Sequence, residues 1–250
     1  MDNPPTSIQS ASAGGRFRLL DLTLPSPVEN LAVDEALLDE MEERGGHPLL
    51  RFWESDRCFV VLGRSSRTTD EVNVSECERD GIPIFRRISG GGTVLQGPGC
   101  LSYAFVARRD LHPSLGDIRA TNRFILDRIA SALRRWEPEI AFCGISDLAA
   151  GGMKISGNAQ RRTKRALLFH GTILHGMRAD LIARYLKHPA QQPDYRANRP
   201  HEAFLRTIAA KAPDLKHAIA GAWNAVSSVA GWPEFRLQAG IRNVLERSHP

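Results

Sequence analysis

The spacing of apolar residues predicts an amphipathic helix near the start of the chain. Val33, Leu37 and Met41 recur at four-residue steps and would form one buried stripe. Residues 26–29, Ser-Pro-Val-Glu, supply a capping-box serine and glutamate with proline at the first helical position. Gly45-Gly46 is a typical stop signal. We therefore expect the first helix to begin after the serine and to end at these glycines.

The rest of the chain divides into a strand-rich part and a helix-rich part. Short runs of apolar, β-branched and aromatic residues predict strands over 48–53, 58–63, 82–88, 101–107, 139–143, 153–156 and 166–174. The polar residues between the first two runs favour a hairpin. Helical patterns cover 117–135, 179–187, 201–211, 214–229 and 237–247. Because many strand connections are too short for βαβ crossovers, we expect an α+β fold with a mixed, largely antiparallel central sheet and flanking helices.

Length and patterning favour a single domain. The chain has 250 residues, enough to bury a full hydrophobic core without disulfides or metal ions. Residues 1–15 are rich in Ser, Pro and Gly and lack the apolar segment of a secretion signal, so we expect a disordered leader. No repeat or long linker divides the remainder, and we expect residues 16–250 to form one domain.

Composition and charge exclude several classes of protein. Lys and Arg total 33 against 28 Asp and Glu, a formal net charge of +5 that mildly favours an anionic partner. No apolar run approaches the length of about 18 residues that a membrane helix needs. The four cysteines, at 58, 77, 100 and 143, show no Cys-x-x-Cys spacing, which argues against a zinc site and against a required disulfide framework. These features favour a reduced, soluble, cytoplasmic protein.

The most distinctive local sequence is a triple glycine preceded by two arginines, Arg-Arg-Ile-Ser-Gly-Gly-Gly-Thr over residues 86–93. Consecutive glycines between two predicted strands lose much conformational freedom on folding, and they let backbone amides approach an anion closely. The arginine forks suit a carboxylate or a phosphate. Neither a Walker A lysine nor the opening helix of a dinucleotide-binding fold follows, and a mobile glycine-rich turn is the alternative.

A second cluster surrounds a lysine in residues 151–159, Gly-Gly-Met-Lys-Ile-Ser-Gly-Asn-Ala. Lys154 lies among small and polar residues, where a partly buried amine could neutralise a phosphate or a developing oxyanion; a solvated surface lysine is the alternative. His170 lies inside an apolar predicted strand and could equally be a core histidine. Cys143, eleven residues before Lys154, could be an acyl-carrying nucleophile or a small buried hydrophobe.

Taken together, these residues resemble the lipoate–protein ligase A family, in the superfamily of biotin and lipoate ligases and octanoyltransferases. The matching segments occur in the family's order and lie within residues 29–174, well over half of the chain. They are NLAVDEAL (30–37), GRSSRTTDEVN (63–73), GIPIFRRISGGGTV (81–94), DL (147–148), GMKISGNAQRR (152–162) and FHGTIL (169–174). The resemblance implies a catalytic domain with the class II biotin synthetase-like fold.

The resemblance also implies a role for each matching residue. Lys154 would be the essential lysine, and Asp147 would bind the adenylate or its Mg²⁺ ion. The remaining pocket residues would come from the glycine loop and from the segments around the lysine and the histidine: Arg87, Ser89, Gly90, Gly91, Gly92, Ser156, Gly157, Asn158, Ala159 and His170.

The implied reaction has two steps. With ATP and Mg²⁺, the carboxylate of lipoate or octanoate would attack the α-phosphate and give an acyl adenylate and pyrophosphate. Lys154 and Arg87 would meet the negative charge that grows on the phosphoryl oxygens. A lysine of an acidic lipoyl carrier domain, of the 2-oxoacid dehydrogenase E2 or glycine cleavage H protein type, would then take the acyl group and release AMP.

The chain departs from the family pattern at three points. Gln96-Gly97 stand where the ligases usually have His-Asp, and Cys100 stands where they have asparagine. Both differences concern expected nucleotide contacts. The chain also stops at residue 250, where longer ligases continue into a small accessory domain, so we expect either a separate accessory subunit or a protein limited to acyl transfer.

Two other functions compete with the ligase. An octanoyltransferase would move the acyl group from acyl carrier protein through a Cys143 thioester, although residues 144–148 follow the ligase form. A basic module would bind nucleic acid through Arg161–Arg165, but it would leave the triple glycine and Lys154 unexplained. The same basic run could instead be a solvated turn or could face an acidic carrier protein. The sequence favours the ligase.

Overall fold

A computed structural model describes residues 17–227 and 231–248, and the predicted leader 1–15 lies outside them. The strands are β1 (Arg18–Asp21), β2 (Leu49–Trp53), β3 (Phe59–Leu62), β4 (Ile84–Arg86), β5 (Val94–Gln96), β6 (Cys100–Arg108), β7 (Ala141–Cys143), β8 (Asp147–Ala150), β9 (Met153–Arg162), β10 (Ala166–Leu174) and β11 (Val226–Ser227). The α-helices are α1 (Pro27–Arg44), α2 (Thr68–Glu71), α3 (Val74–Asp80), α4 (Ile118–Leu133), α5 (Ala179–Tyr185), α6 (His201–Phe204), α7 (Ala212–Ala222) and α8 (Leu237–Ser248). Short 3₁₀ turns lie at Pro113–Gly116, Asp194–Arg196 and Glu234–Arg236.

The strands form one large sheet and one small sheet. The large sheet has the order β11-β1-β2-β6-β10-β9-β8-β7. In it β1 pairs in parallel with β11 and β2, and the other neighbours are antiparallel. The small sheet has the order β4-β3-β5, with β3 parallel to β4 and antiparallel to β5. The expected mixed, largely antiparallel sheet with flanking helices is therefore confirmed.

Helices cover both faces of the large sheet. On one face, α4 and α7 bury Ile125, Ile129 and Ile219 against the sheet. On the other face, α1 buries Val33 and Leu37, and the core continues to α8 and the small sheet. Within the described part of the chain, no helix is long and apolar enough to cross a membrane.

The first helix follows its sequence signals closely. The Ser26 backbone amide donates to Glu29 Oε2 at 2.9 Å, which is one half of the expected capping box. At the other end, the Gly45 amide donates to Met41 O at 3.0 Å with a φ of 69°. The predicted apolar stripe is buried, so this element is confirmed over its whole length.

The predicted hairpin between residues 48–53 and 58–63 is wrong. Strand β2 lies between β1 and β6 in the large sheet, whereas β3 is the central strand of the small sheet. Both strands are buried over their whole length. A strand that is apolar on both faces fits the interior of any sheet, so its sequence does not select its neighbour.

The helical predictions after residue 200 are partly wrong. The pattern over 201–211 yields a helix only at His201–Phe204, because the Arg206 amide donates instead to Lys154 O at 2.9 Å. The pattern over 214–229 yields a helix at Ala212–Ala222 that is followed by β11. Strands β1, β5, β8 and β11, which have two to four residues each, were not predicted. Such short segments carry too few positions for a period to be recognised.

Candidate functional site

A cavity of about 780 Å³ opens between the large sheet, the small sheet and the segment after α5. It gathers most of the predicted site residues on its walls: Arg87, Gly90, Gly91, Gly92, Asp147, Lys154, Ser156, Gly157, Asn158, Ala159 and His170. Ser89 lies behind the wall with 1% of its surface exposed. Cys143 is not among the residues that line the cavity.

The glycine loop is shaped from inside by Arg87. This guanidinium is buried, and its Nη2 donates to Gly90 O at 2.7 Å and to Gly92 O at 2.8 Å. Its Nε donates to Ser89 Oγ at 3.0 Å. Burial lowers the pKa of Arg87 to about 10, against the opposing effect of Glu71. In this arrangement the N–H groups of Arg87 hold the loop carbonyls.

The far end of the loop is held by Glu71. Its Oε2 accepts from the Thr93 amide at 2.9 Å and from the Thr93 hydroxyl at 2.5 Å. Among the three glycines, Gly91 has a φ of 86°, a conformation that favours glycine. A side chain on Gly90 or Gly92 would meet no atom within 4 Å. The loop is thus fixed at both ends, and its middle leaves open space for a ligand.

The Lys154 amine has a defined position on the cavity wall. Its Nζ lies 2.9 Å from Asp147 Oδ1, and 26% of the lysine side chain is exposed. The Tyr195 hydroxyl donates to Asp147 Oδ2 at 2.8 Å, and burial together with Asp147 raises the pKa of Tyr195. A Cβ on Gly157 would come within 2.9 Å of Lys154 Cε and Nζ, so glycine is needed for the amine to reach its partner.

A chain of polar contacts orients His170. Its Nε2 lies 2.6 Å from Ser89 Oγ, and its Nδ1 lies 3.6 Å from Asp34 Oδ2. Asp34 Oδ1 in turn accepts from the buried Arg51 Nη1 at 2.5 Å. Burial alone would raise the pKa of Asp34, but Arg51 and His170 outweigh it and the pKa is lowered. This is the composition of a hydrolase triad, but Ser89 is buried, accepts from Arg87 and serves to position the histidine.

Asn158 of β9 reaches across β10 to β6, and it also contacts the turn between β7 and β8. Its Oδ1 accepts from the Tyr103 hydroxyl, and its Nδ2 donates to Ser146 O at 2.8 Å. A Cβ on Gly171 would lie 1.7 Å from Asn158 Oδ1, so the glycine after His170 is required for this crossing. The predicted Ser-Gly-Asn segment therefore supports the wall that carries His170.

The predicted magnesium ligand has no free oxygen. Both carboxylate oxygens of Asp147 are engaged, one by Lys154 and one by Tyr195. In residues 17–227 and 231–248, no group of three or more His, Cys, Asp or Glu could hold a metal ion. Asp147 would have to exchange one of these partners to bind Mg²⁺, and its assignment as a metal ligand stays a prediction.

Two other predicted features lie outside the cavity. Cys143 is paired with Asp147 across the β7–β8 hairpin, and burial together with Asp147 raises the pKa of its thiol. The basic run 161–165 is divided, because Arg162 donates to Gly116 O at 2.9 Å while Arg165 lies 3.7 Å from Glu42. The run therefore does not form one continuous charged surface.

Sequence reasoning missed several residues of the site. Asp34 and Arg51 form its buried ion pair. Asp34 lies in the matching segment 30–37 but was given no role there, and Arg51 lies in none of the matching segments. Tyr195 and Arg196 carried no signal that set them apart from other loop residues. Gln96 was noted as a departure; it is 8% exposed, lines the cavity, and its Oε1 has no hydrogen-bond partner among the described residues.

The fold defines a class of protein. It matches a bi-partite lipoate protein ligase from Thermoplasma acidophilum, with a TM-score of 0.77, 22% identity and 92% of each chain covered. It also matches a lipoate-protein ligase A bound with ATP, with a TM-score of 0.76, 23% identity and coverage of 94% of this chain and 97% of that one. At these identities the shared feature is the fold, which is that of the lipoate-protein ligases.

Sequence comparison then identifies the family. Residues 26–216 match the lipoyl protein ligase A/B catalytic domain, and the chain belongs to this family. The lipoate-protein ligase LplJ of Bacillus subtilis is 30% identical over 161 residues, which are 64% of this chain and 46% of that protein. The octanoyltransferase LipM of Carboxydothermus hydrogenoformans is 35% identical over 188 residues, 68% of this chain and 69% of that protein.

These relatives confirm the predicted family and its enzymatic class. Both named relatives are enzymes, one a ligase and one a transferase. The chain is similar to both, so the similarity supports either activity. The chain spans about half the length of the curated lipoate-protein ligases it matches, 46% and 48% in two of them.

Proposed function

We propose that this chain activates lipoate, or an acyl acid of similar size, as an acyl adenylate and transfers the acyl group to a lysine of a lipoyl domain. The observation that carries this proposal is the Lys154 amine, held 2.9 Å from Asp147 Oδ1 on the cavity wall. A positioned cation in a partly enclosed cavity is suited to stabilise charge that develops in a transition state. The glycine loop lines the same cavity and can offer backbone amides to an anion.

Two proteins of the same fold support ATP as the cosubstrate and a lipoyl domain as the acceptor. One protein of this fold is a ligase bound with ATP, and another is a bi-partite ligase described with its E2 lipoyl domain. We extend both to this chain: ATP would activate the acyl acid, and a lipoyl domain of the E2 or glycine cleavage H protein type would accept it. A separate accessory subunit remains part of the proposal, by analogy with the bi-partite ligase.

The proposed reaction has two steps, and residues of the chain have defined roles in the first. In the first, the acyl carboxylate oxygen bonds to the α-phosphorus of ATP, and the bond to pyrophosphate breaks. Lys154 donates to the phosphoryl oxygens, while Asp147 and the protonated hydroxyl of Tyr195 hold the amine in place. In the second, a neutral lysine amine of the carrier attacks the acyl carbonyl, and AMP leaves.

Lipoate-dependent exchange of pyrophosphate into ATP tests the first step. We expect exchange by the wild-type chain and a loss of about 10²–10³-fold in Lys154→Ala, the usual cost of removing one electrostatic stabiliser of a transition state. Lys164→Ala is the matched control, because Lys164 is exposed and lies outside the cavity. No exchange by the wild-type chain, with or without a candidate accessory subunit, would contradict the proposal.

A thioester-forming octanoyltransferase is the second candidate, because Cys143 lies opposite Asp147 in the β7–β8 pair. The raised pKa of its thiol disfavours the thiolate that this mechanism needs. Cys143→Ser separates the two activities. The ligase predicts unchanged acylation of a lipoyl domain by this variant, whereas the transferase predicts loss of octanoyl transfer from acyl carrier protein.

A further inference from the structure

The 3₁₀ turn Asp194–Arg196 is fastened to the strands that carry the catalytic lysine. Tyr195 donates to Asp147, and Arg199 Nη2 donates to Gly152 O at 2.6 Å and to Tyr195 O at 2.8 Å. These bonds place Arg196, which adjoins Tyr195, on the wall of the same cavity as Lys154.

Arg196 is a buried cation with few partners. It is 4% exposed; its Nε donates to Arg199 O at 3.0 Å, and its guanidinium lies 4.8 Å from the centroid of the Phe204 ring. Its Nη2 is buried and has no hydrogen-bond partner in the described residues. Across residues 17–227 and 231–248, no carboxylate forms an ion pair with it. Its neighbour Arg199 adds a like charge, and burial lowers the pKa of the nearby His201.

The other two arginines that are buried among the described residues are compensated. Arg51 is paired with Asp34. Arg87 gives its N–H groups to the carbonyls of the glycine loop. A buried charge without a counterion is unfavourable, so such a group is rare unless a ligand supplies the missing charge.

We propose that Arg196 is a binding residue for phosphoryl oxygens of the acyl donor. Its planar fork suits two oxygens of one phosphate, and the cavity it lines also holds the Lys154 amine, which would contact the same donor. The inference rests on the proposed function for the identity of the donor. Two donors offer this chemistry: the polyphosphate of ATP and the phosphodiester of a 4′-phosphopantetheine thioester.

The charge also predicts how a variant affects the free protein. Arg196→Gln removes an uncompensated buried charge, so the melting temperature of the free protein should stay the same or rise. A residue with a merely structural role would lower it. The matched control is Arg128→Gln, because Arg128 also rests on an aromatic ring, 4.5 Å from the centroid of Trp223, and does not line the cavity.

Thermal shift and calorimetry on the full chain with inorganic pyrophosphate, ATP and 4′-phosphopantetheine test the inference. We expect at least one of these phosphates to bind the wild type and Arg128→Gln, and to bind Arg196→Gln about tenfold more weakly or worse. Arg196→Lys, which keeps the charge but loses the fork, should fall between them. If pyrophosphate and ATP bind, the donor recognised by Arg196 is ATP. If only 4′-phosphopantetheine binds, the donor is the 4′-phosphopantetheine thioester.

Two results would overturn the inference. One is that none of the three phosphates binds the wild-type chain. The other is that Arg196→Gln and Arg196→Lys both bind them with wild-type affinity. The proposed function fails separately: pyrophosphate binding that depends on Arg196, without lipoate-dependent exchange, would leave the anion site in place and remove the ligase.

Discussion

At the scale of single residues, the glycines of the site meet different physical requirements. Gly157 and Gly171 are required because a neighbouring side chain occupies the place of their Cβ atoms. Gly90 and Gly92 instead face open space, where a Cβ would meet no atom within 4 Å. The sequence motif does not distinguish these cases, since both are written as glycine.

Gly157→Ala tests whether the position of the Lys154 amine matters for the proposed reaction. The new Cβ would lie 2.9 Å from the end of the Lys154 side chain, which is flexible and can move away from Asp147. We expect kcat of lipoate-dependent exchange to fall by about 10²-fold, as for a misplaced catalytic group, with little change in melting temperature. Gly221→Ala, in α7 and outside the cavity, is the control, because a Cβ there would meet no atom within 4 Å. Wild-type kcat in Gly157→Ala would show that the pair does not set the amine's position.

At the scale of elements, the sequence predicts those whose patterns are long and one-sided. Helices α1 and α4 and strand β10 lie where their apolar spacing and caps indicate. The partners of β2 and β3 could not be predicted, because both strands are buried throughout. The same holds for the site: Lys154 and the glycine loop could be predicted from sequence motifs. Tyr195 and Arg196 enter it only through tertiary contacts of a loop.

The ion pair of Glu35 in α1 with Arg247 in α8 should make the free energy of unfolding depend on pH. Burial raises the pKa of Glu35 from 4.5 to about 7, although Arg247 acts in the opposite direction. A carboxyl group with a raised pKa contributes stability below its ordinary pKa and loses it as pH rises through the folded value. The free energy of unfolding should therefore fall between pH 4.5 and 7, by up to about 3 kcal/mol from this group.

Glu35→Gln isolates this contribution. Relative to wild type, the variant should gain stability as pH rises from about 5 to 8, measured by urea unfolding at each pH. Glu43→Gln is the control on the same helix. Its hydrogen bond to Arg236 lowers the pKa of Glu43 from 4.5, so this carboxyl stays ionised in both states over that range and its removal should leave the pH profile parallel to that of wild type. Parallel pH profiles for wild type and Glu35→Gln would contradict the prediction.

At the scale of the whole molecule, the net positive charge bears on how the chain would meet a protein partner. The net charge is +5, and the basic run 161–165 is broken by internal contacts, which does not favour a nucleic-acid surface. A mild positive field would instead speed the approach of the acidic carrier domain that the proposed function requires.

This steering predicts an effect of salt on the second step alone. We expect the rate of lipoyl-domain acylation at low carrier concentration to fall roughly tenfold between low salt and about 0.3 M salt. Lipoate-dependent pyrophosphate exchange, which needs no protein partner, is the internal control and should change much less. Equal salt dependence in the two assays would rule out steering of the carrier.

The bond between Tyr195 and Asp147 has a consequence for synthesis of the chain. The two residues are 48 positions apart, so at ribosomal rates Tyr195 is added about 2 to 10 s after Asp147. The carbonyl of Lys154 accepts a hydrogen bond from the Arg206 amide, which is synthesised later still. A nascent chain thus holds its reactive lysine before it holds the residues that aim it. If Lys154 has the proposed role, its amine is positioned only some time after the strand that bears it has been synthesised.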